Sequence, residues 1–108
     1  MIRSDQVYLD HILEAILKIE NFTRGVSRFD FDGNVMIQDA IIRNIEIIGE
    51  ATKKISKSFT LTHQEIPWSA MAGMRDKLIH DYLDVDLDVV WKTLEVDLPL
   101  LKDLISNI

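Results

Sequence analysis

Residues 67–82, PWSAMAGMRDKLIHDY, decide the fold of this chain. Pro67 suits the first turn of a helix, where its missing N–H is not needed. Met71, Met74 and Leu78 follow at helical spacing, which predicts an apolar stripe that faces a hydrophobic core. We therefore predict one helix over these sixteen or so residues.

Polar residues follow the apolar stripe on the same predicted helix. On an ideal helix, Arg75 and Tyr82 lie at the edge of the stripe, and His80 lies about 140° from Arg75. A guanidinium beside apolar side chains costs free energy unless an anion pairs with it. Arg75, His80 and Tyr82 are therefore the candidate functional residues.

A second long helix is predicted over residues 34–58. Gly49 lies on a second apolar strip of this helix, together with Val35 and Ile42. Glycine permits a close backbone approach, so we expect tight packing there, either within the domain or across a dimer. The isoleucines at helical spacing form the predicted core stripe: Ile37, Ile41, Ile45, Ile48 and Ile55.

The remaining segments complete a helical bundle. We predict a helix over residues 5–24 that Ser4 caps, a loop or short turn over residues 25–33, and a connector over residues 59–66. Asp84 or Asp86 can cap a last helix that runs to the C-terminus and is kinked at Pro99. Glycine and proline number only six, which disfavours architectures rich in strands and turns. We predict one all-α domain over residues 1–108, an up-and-down bundle of four or five helices.

The spacing Arg75-x-x-x-x-His80-x-Tyr82 resembles the signature of HEPN-domain ribonucleases, and in particular that of the HepT toxin branch. Two further stretches are similar to blocks of HepT-like proteins, namely IIRNIEIIGEA at residues 41–51 and IPW at residues 66–68. The resemblance implies a HEPN-type bundle. It also implies an endoribonuclease toxin of a toxin–antitoxin pair.

The implied reaction is cleavage of RNA without a metal or another cofactor. The ribose 2′-OH attacks the adjacent phosphate, and the expected product carries a 2′,3′-cyclic phosphate. Histidine suits the proton transfers because it titrates near neutral pH. Arginine suits the phosphate because its charge is permanent and it forms paired hydrogen bonds. His80 and Arg75 are therefore the predicted catalytic residues.

Three other residues are predicted to support this site. Asp76 could orient the imidazole of His80 from four positions away, and Arg43 and Glu50 lie in the IIRNIEIIGEA block. The alternative is a solvated surface without a site. In that alternative Asp76 and His80 pair with each other, Glu50 pairs with Lys54, and Arg75 meets an acidic residue of the second helix.

The resemblance also implies two protein partners. Arg75 and His80 cannot both reach one phosphate from a straight helix, so either the helix distorts near His80 or a second copy completes the site. HEPN proteins pair two motifs in a shared cleft, which predicts a homodimer. In the HepT branch, a nucleotidyltransferase antitoxin of the MNT type attaches AMP to the tyrosine that corresponds to Tyr82.

Composition limits the other classes of function. The net charge of −6 argues against a general nucleic-acid coat protein, because phosphate binding needs a basic surface. No apolar run suggests a membrane span or a signal peptide, so we expect a cytoplasmic protein. The competing interpretation is a non-catalytic dimeric scaffold, or a nucleotide-sensing module that partners a nucleotidyltransferase.

Overall fold

The computed structural model describes residues 4–81 and 84–108. These residues form an all-α bundle with one short hairpin, which confirms the predicted fold class. In chain order the elements are α1 (Asp5–Thr23), α2 (Arg28–Asp32), α3 (Val35–Lys54), α4 (Lys57–Thr62), α5 (Trp68–Ala72), α6 (Met74–Leu78), β1 (Ile79–Asp81), β2 (Asp84–Val85), α7 (Leu87–Lys92), a π-helical turn (Thr93–Asp97) and α8 (Leu98–Ser106).

The core forms where the two longest helices, α1 and α3, pack along each other. Both helices carry isoleucines at helical spacing, and burial of these side chains stabilises the bundle. Most of the predicted core stripe is buried, although Ile37 is only partly covered. On the second predicted strip, Ile42 is buried and Val35 is exposed. The fully buried isoleucines of the two helices are Ile12, Ile16, Ile19, Ile41, Ile45 and Ile48.

Gly49 of α3 lies against the backbone of α5. A Cβ atom at Gly49 would come within 3.2 Å of the Ala72 carbonyl oxygen and 3.6 Å of the Met71 carbonyl oxygen. The first distance is shorter than ordinary contact, so a side chain there would push α5 away from α3. The close approach that the sequence predicts is therefore made within the domain.

Serine caps begin two short helices that the sequence does not predict. Ser27 Oγ accepts from the Asp30 N–H at 3.1 Å, so α2 forms inside the predicted loop. Ser56 Oγ accepts from the Phe59 N–H at 3.2 Å, so α3 ends at Lys54 and α4 begins inside its predicted C-terminal turn. These two predictions were wrong because a cap starts a helix within one turn.

The C-terminal helical segment deviates from α-helical geometry just before Pro99, as the sequence predicts. Residues Thr93–Asp97 form a π-helical turn, and the Leu98 N–H donates to the Thr93 carbonyl. Proline cannot donate to the carbonyl four residues before it, and the wider turn absorbs this defect. Within residues 4–81 and 84–108, no helix is both long and apolar enough to cross a membrane.

The contact at Gly49 makes a prediction about stability. Gly49→Val should lower the free energy of unfolding by about 1–3 kcal/mol, because the branched side chain has to displace the α5 backbone. Gly33→Ala is the matched control, since the nearest atom to a Cβ there is 3.9 Å away. Chemical denaturation measures both variants. Equal stability of Gly49→Val and the native protein would contradict the described packing.

Candidate active site

The predicted helix over residues 67–82 is replaced by three shorter elements. Gly73 ends α5 and precedes α6, with its N–H donating to the Ser69 carbonyl at 3.2 Å, and the helical backbone stops at Leu78. The predicted apolar stripe is confirmed, because Met71, Met74 and Leu78 are all buried. The prediction of one continuous helix was wrong, because the same spacing fits two short helices separated by a glycine.

His80 therefore lies on a strand and not on a helix. Strand β1 pairs antiparallel with β2, and the register shifts between Ile79 and Asp81, so that His80 sits at the irregularity. The Asp86 N–H donates to the Leu78 carbonyl at 2.7 Å, which fastens the base of the hairpin. Irregular positions of this kind redirect a side chain relative to a regular strand. The sequence left two possibilities, a helix that distorts near His80 or a second copy that completes the site. The helix does end before His80.

The imidazole of His80 contacts a carboxylate that the sequence analysis did not assign to it. Its Nε2 lies 3.5 Å from Oδ2 of Asp86, and the side chain of His80 is 59% exposed. The other oxygen of Asp86 caps α7 by accepting from the Val89 N–H at 3.2 Å, as one of the two predicted caps. The predicted contact from Asp76 required a helix through His80, and that premise was wrong.

Arg75 lies on the exposed surface of α6. Its side chain is 49% exposed, and Nη1 lies 3.8 Å from Oδ1 of the neighbouring Asp76. This pair is exposed on both sides and therefore contributes little to stability. The guanidinium remains accessible to an anion from solvent.

Arg43 and Glu50 lie in a different place. Together with Tyr8 and His11, they line a shallow groove between α1 and α3, and neither Arg75 nor His80 belongs to the lining of this groove. Glu50 pairs with Lys53 at 3.3 Å, one position away from the partner that the sequence suggests. Their supporting role stays a prediction.

Tyr82 lies outside the described residues, so its predicted modification has no structural account here. In the described ranges 4–81 and 84–108, no three histidine, aspartate or glutamate side chains lie close enough together to hold a metal ion.

Comparison with known proteins identifies the family of the chain. The sequence profile "Ribonuclease HepT-like" matches residues 12–108. The chain belongs to this family. It is 53% identical over 102 residues to a "Probable ribonuclease HepT" of Thermococcus cleftensis, covering 94% of this chain and 93% of the relative. No solved structure matched the chain.

Two other relatives are more distant. A "Putative RNase" of Caldanaerobacter subterraneus is 37% identical over 106 residues, covering 98% of this chain and 95% of the relative. A "Gamma-glutamylcyclotransferase and putative RNase" of Methanocaldococcus jannaschii is 45% identical over 103 residues, and those residues make up 95% of this chain but 46% of the relative. The predicted ribonuclease is thus confirmed at the level of the HepT-like family.

The surroundings of the site in this HepT-like chain are acidic. The hairpin and the start of α7 carry the carboxylates Asp81, Asp84, Asp86 and Asp88 within eight residues. Asp88 is bound by Arg28 of α2, which also bonds Asp32. The hydrogen bond to Asp32 raises the pKa of the Arg28 guanidinium most, and the hydrogen bond to Asp88 raises it further. Among the described residues, this region thus carries single cations between carboxylates and not a continuous basic surface.

Proposed function

We propose that this chain is a metal-independent endoribonuclease toxin that cleaves RNA by attack of a ribose 2′-OH, with Arg75 and His80 as its catalytic residues. The observation that carries this proposal is the placement of both side chains. Arg75 lies exposed on α6 and His80 lies exposed on strand β1 of the hairpin, in a chain of the ribonuclease HepT-like family. A cation and a titratable group are thus both exposed to solvent, which supports a role for them on a backbone phosphate.

The reaction requires two proton transfers, and it requires stabilisation of the negative charge that develops on the phosphate. The 2′-oxygen forms a bond to phosphorus as its proton leaves to a base, and the bond to the 5′-oxygen breaks as that oxygen gains a proton. Between the two steps the phosphate carries extra negative charge. His80 can transfer protons, and the fork of Arg75 can bind the phosphate oxygens as charge develops.

A homodimer would supply what one chain lacks. One imidazole cannot be the deprotonated base and the protonated acid in the same step, and a second copy related by a two-fold axis would bring a second imidazole and a second guanidinium. Two copies would also double the few cations on an acidic surface. We propose that the two motifs face each other in a shared cleft.

Control by a partner enzyme is the last part of the proposal. Tyr82 follows His80 by two residues, so an AMP group on its hydroxyl would add a bulky anion beside the catalytic residues. That anion would compete with RNA for the cation at Arg75. We propose that a nucleotidyltransferase antitoxin of the MNT type attaches it, and that the two proteins form a toxin–antitoxin pair.

The catalytic assignment predicts the effect of two substitutions. His80→Ala should lower the rate of RNA cleavage by about 10²–10⁴-fold, because a proton-transfer group is lost. Arg75→Ala should lower it by about 10²–10³-fold, because the phosphate loses a charged donor. Cleavage of a labelled RNA in the presence of EDTA measures the rate and the cyclic phosphate end, and a 2′-deoxy substitution at the cut site should stop the reaction.

His63→Gln and Arg24→Ala are the matched controls, since His63 pairs with Glu65 and Arg24 bonds Asn21 away from the hairpin. Both should cleave at the native rate. If the native protein leaves RNA intact and is harmless when expressed without its partner, the chain is instead a non-catalytic scaffold or a nucleotide-sensing module.

The shared cleft predicts how an inactive copy affects a native one. When native and His80→Ala chains are co-expressed in equal amounts, the RNA-cleavage activity per total protein should be about one quarter of the native value. Only dimers of two native chains retain both imidazoles. Chains that act independently would retain about one half. Co-expression with His63→Gln should cause no loss. Light scattering reports whether the chains are dimers.

The proposed modification predicts a change in mass. Co-expression with the nucleotidyltransferase should add AMP to the chain and stop RNA cleavage, because the anion occupies the cleft. Intact-mass measurement detects each added AMP. Tyr82→Phe should remain unmodified and toxic, whereas Tyr8→Phe should be modified like the native chain. Addition of AMP to Tyr82→Phe would show that another residue is the target.

A further inference from the structure

We propose that Asp86 is a positioning residue for His80, and that it holds the Nε2 side of the imidazole so that Nδ1 is the nitrogen that exchanges protons with RNA. This inference rests on the proposed ribonuclease function and adds a residue and an atom to it. Its basis is the contact between Nε2 and Asp86 Oδ2, at 3.5 Å. Contacts of catalytic histidines are often this long in free enzymes and tighten in the substrate complex.

Two hydrogen bonds hold Asp86 in place, one through its backbone and one through its side chain. The backbone N–H of Asp86 donates to the Leu78 carbonyl at 2.7 Å, and its side-chain Oδ1 accepts from the Val89 N–H at 3.2 Å. These two bonds fasten the backbone and one side-chain oxygen. Only Oδ2 is left to face the ring, and Asp86 is half-buried while His80 is exposed. The carboxylate therefore has the fixed geometry that a positioning group requires.

The helix behind Asp86 is also held in place. Arg28 of α2 binds Asp88, in the first turn of α7. On the next turn, the ring of Trp91 packs on Phe31, with ring centroids 5.2 Å apart, and Phe31 is fully buried. Helix α2 therefore fixes α7 both at the surface and in the core. A shift of α7 would move the carboxylate away from the imidazole.

The chemistry of the pair assigns the ring nitrogens. An ionised carboxylate can only accept a hydrogen bond, so the nitrogen that faces Asp86 must carry a proton. In the neutral imidazole the other nitrogen, Nδ1, then has the free lone pair and can accept a proton. A buried or fixed carboxylate selects the tautomer of its histidine in this way. The exposed side of the ring is left for the substrate.

Asp86→Asn tests this assignment directly. The amide oxygen should keep the bond to the Val89 N–H, so that α7 stays capped and the amide NH₂ faces the ring. Nε2 must then accept, and the ring proton should move to Nδ1. We expect kcat to fall by about 10–100-fold with KM little changed. Asp103→Asn is the matched control, because it removes the same charge from α8 and should alter neither property.

The readout is the long-range ¹H–¹⁵N spectrum of the histidine rings at alkaline pH, with His80→Gln identifying the His80 signals. The native chain should show protonated Nε2, and Asp86→Asn should show protonated Nδ1. Asp86→Ser keeps a cap but is too short to reach the ring, and it should show a mixture of both forms. Thermal unfolding verifies that all variants fold.

Each outcome has one meaning. A native ring protonated at Nδ1, or an unchanged tautomer in both Asp86 variants, would overturn the role of Asp86 whether or not RNA is cleaved. The predicted tautomers with full cleavage by Asp86→Asn would overturn it as well. The predicted tautomers in a native protein that cuts no RNA would support the contact and refute the ribonuclease proposal instead.

Discussion

The burial of one isoleucine stripe on α3 is the constraint on which the rest of the structure depends. It fixes α3 against α1, and a neighbouring flank of α3 receives α5. Gly49 allows that contact, because the carbonyl oxygen of Ala72 lies only 3.2 Å from where a Cβ atom would stand. Helix α6 follows directly from α5, so the position of Arg75 is a consequence of how closely α5 approaches α3.

The site itself depends on the end of a helix and not on its face. The backbone stops being helical at Leu78, and the carbonyl of Leu78 binds the N–H of Asp86. Residues that are six positions apart in the chain, His80 and Asp86, are thereby brought side by side. A straight helix would have kept them on different turns. The predicted role of Asp76 assumed such a helix, and that role stays a prediction.

Acidity and catalysis are compatible in this arrangement. The chain carries a net charge of −6, and carboxylates surround the hairpin. Weak general attraction for RNA leaves affinity to a few specific contacts, which favours a selective nuclease over one that coats nucleic acid. The same carboxylates serve local purposes, because Asp86 caps α7 and contacts His80, and Asp88 ties α7 to α2.

Amino-acid spacing alone determined the fold class, the buried stripes, the close approach at Gly49 and the residues of the family signature. These features are local or periodic, and each follows from the side chains within a few turns. Only the tertiary structure decided where the helices end, that Gly49 packs inside the domain, and that Asp86 lies beside His80. Those outcomes depend on hydrogen bonds between separate elements, and helical periodicity carries no information about which elements will meet.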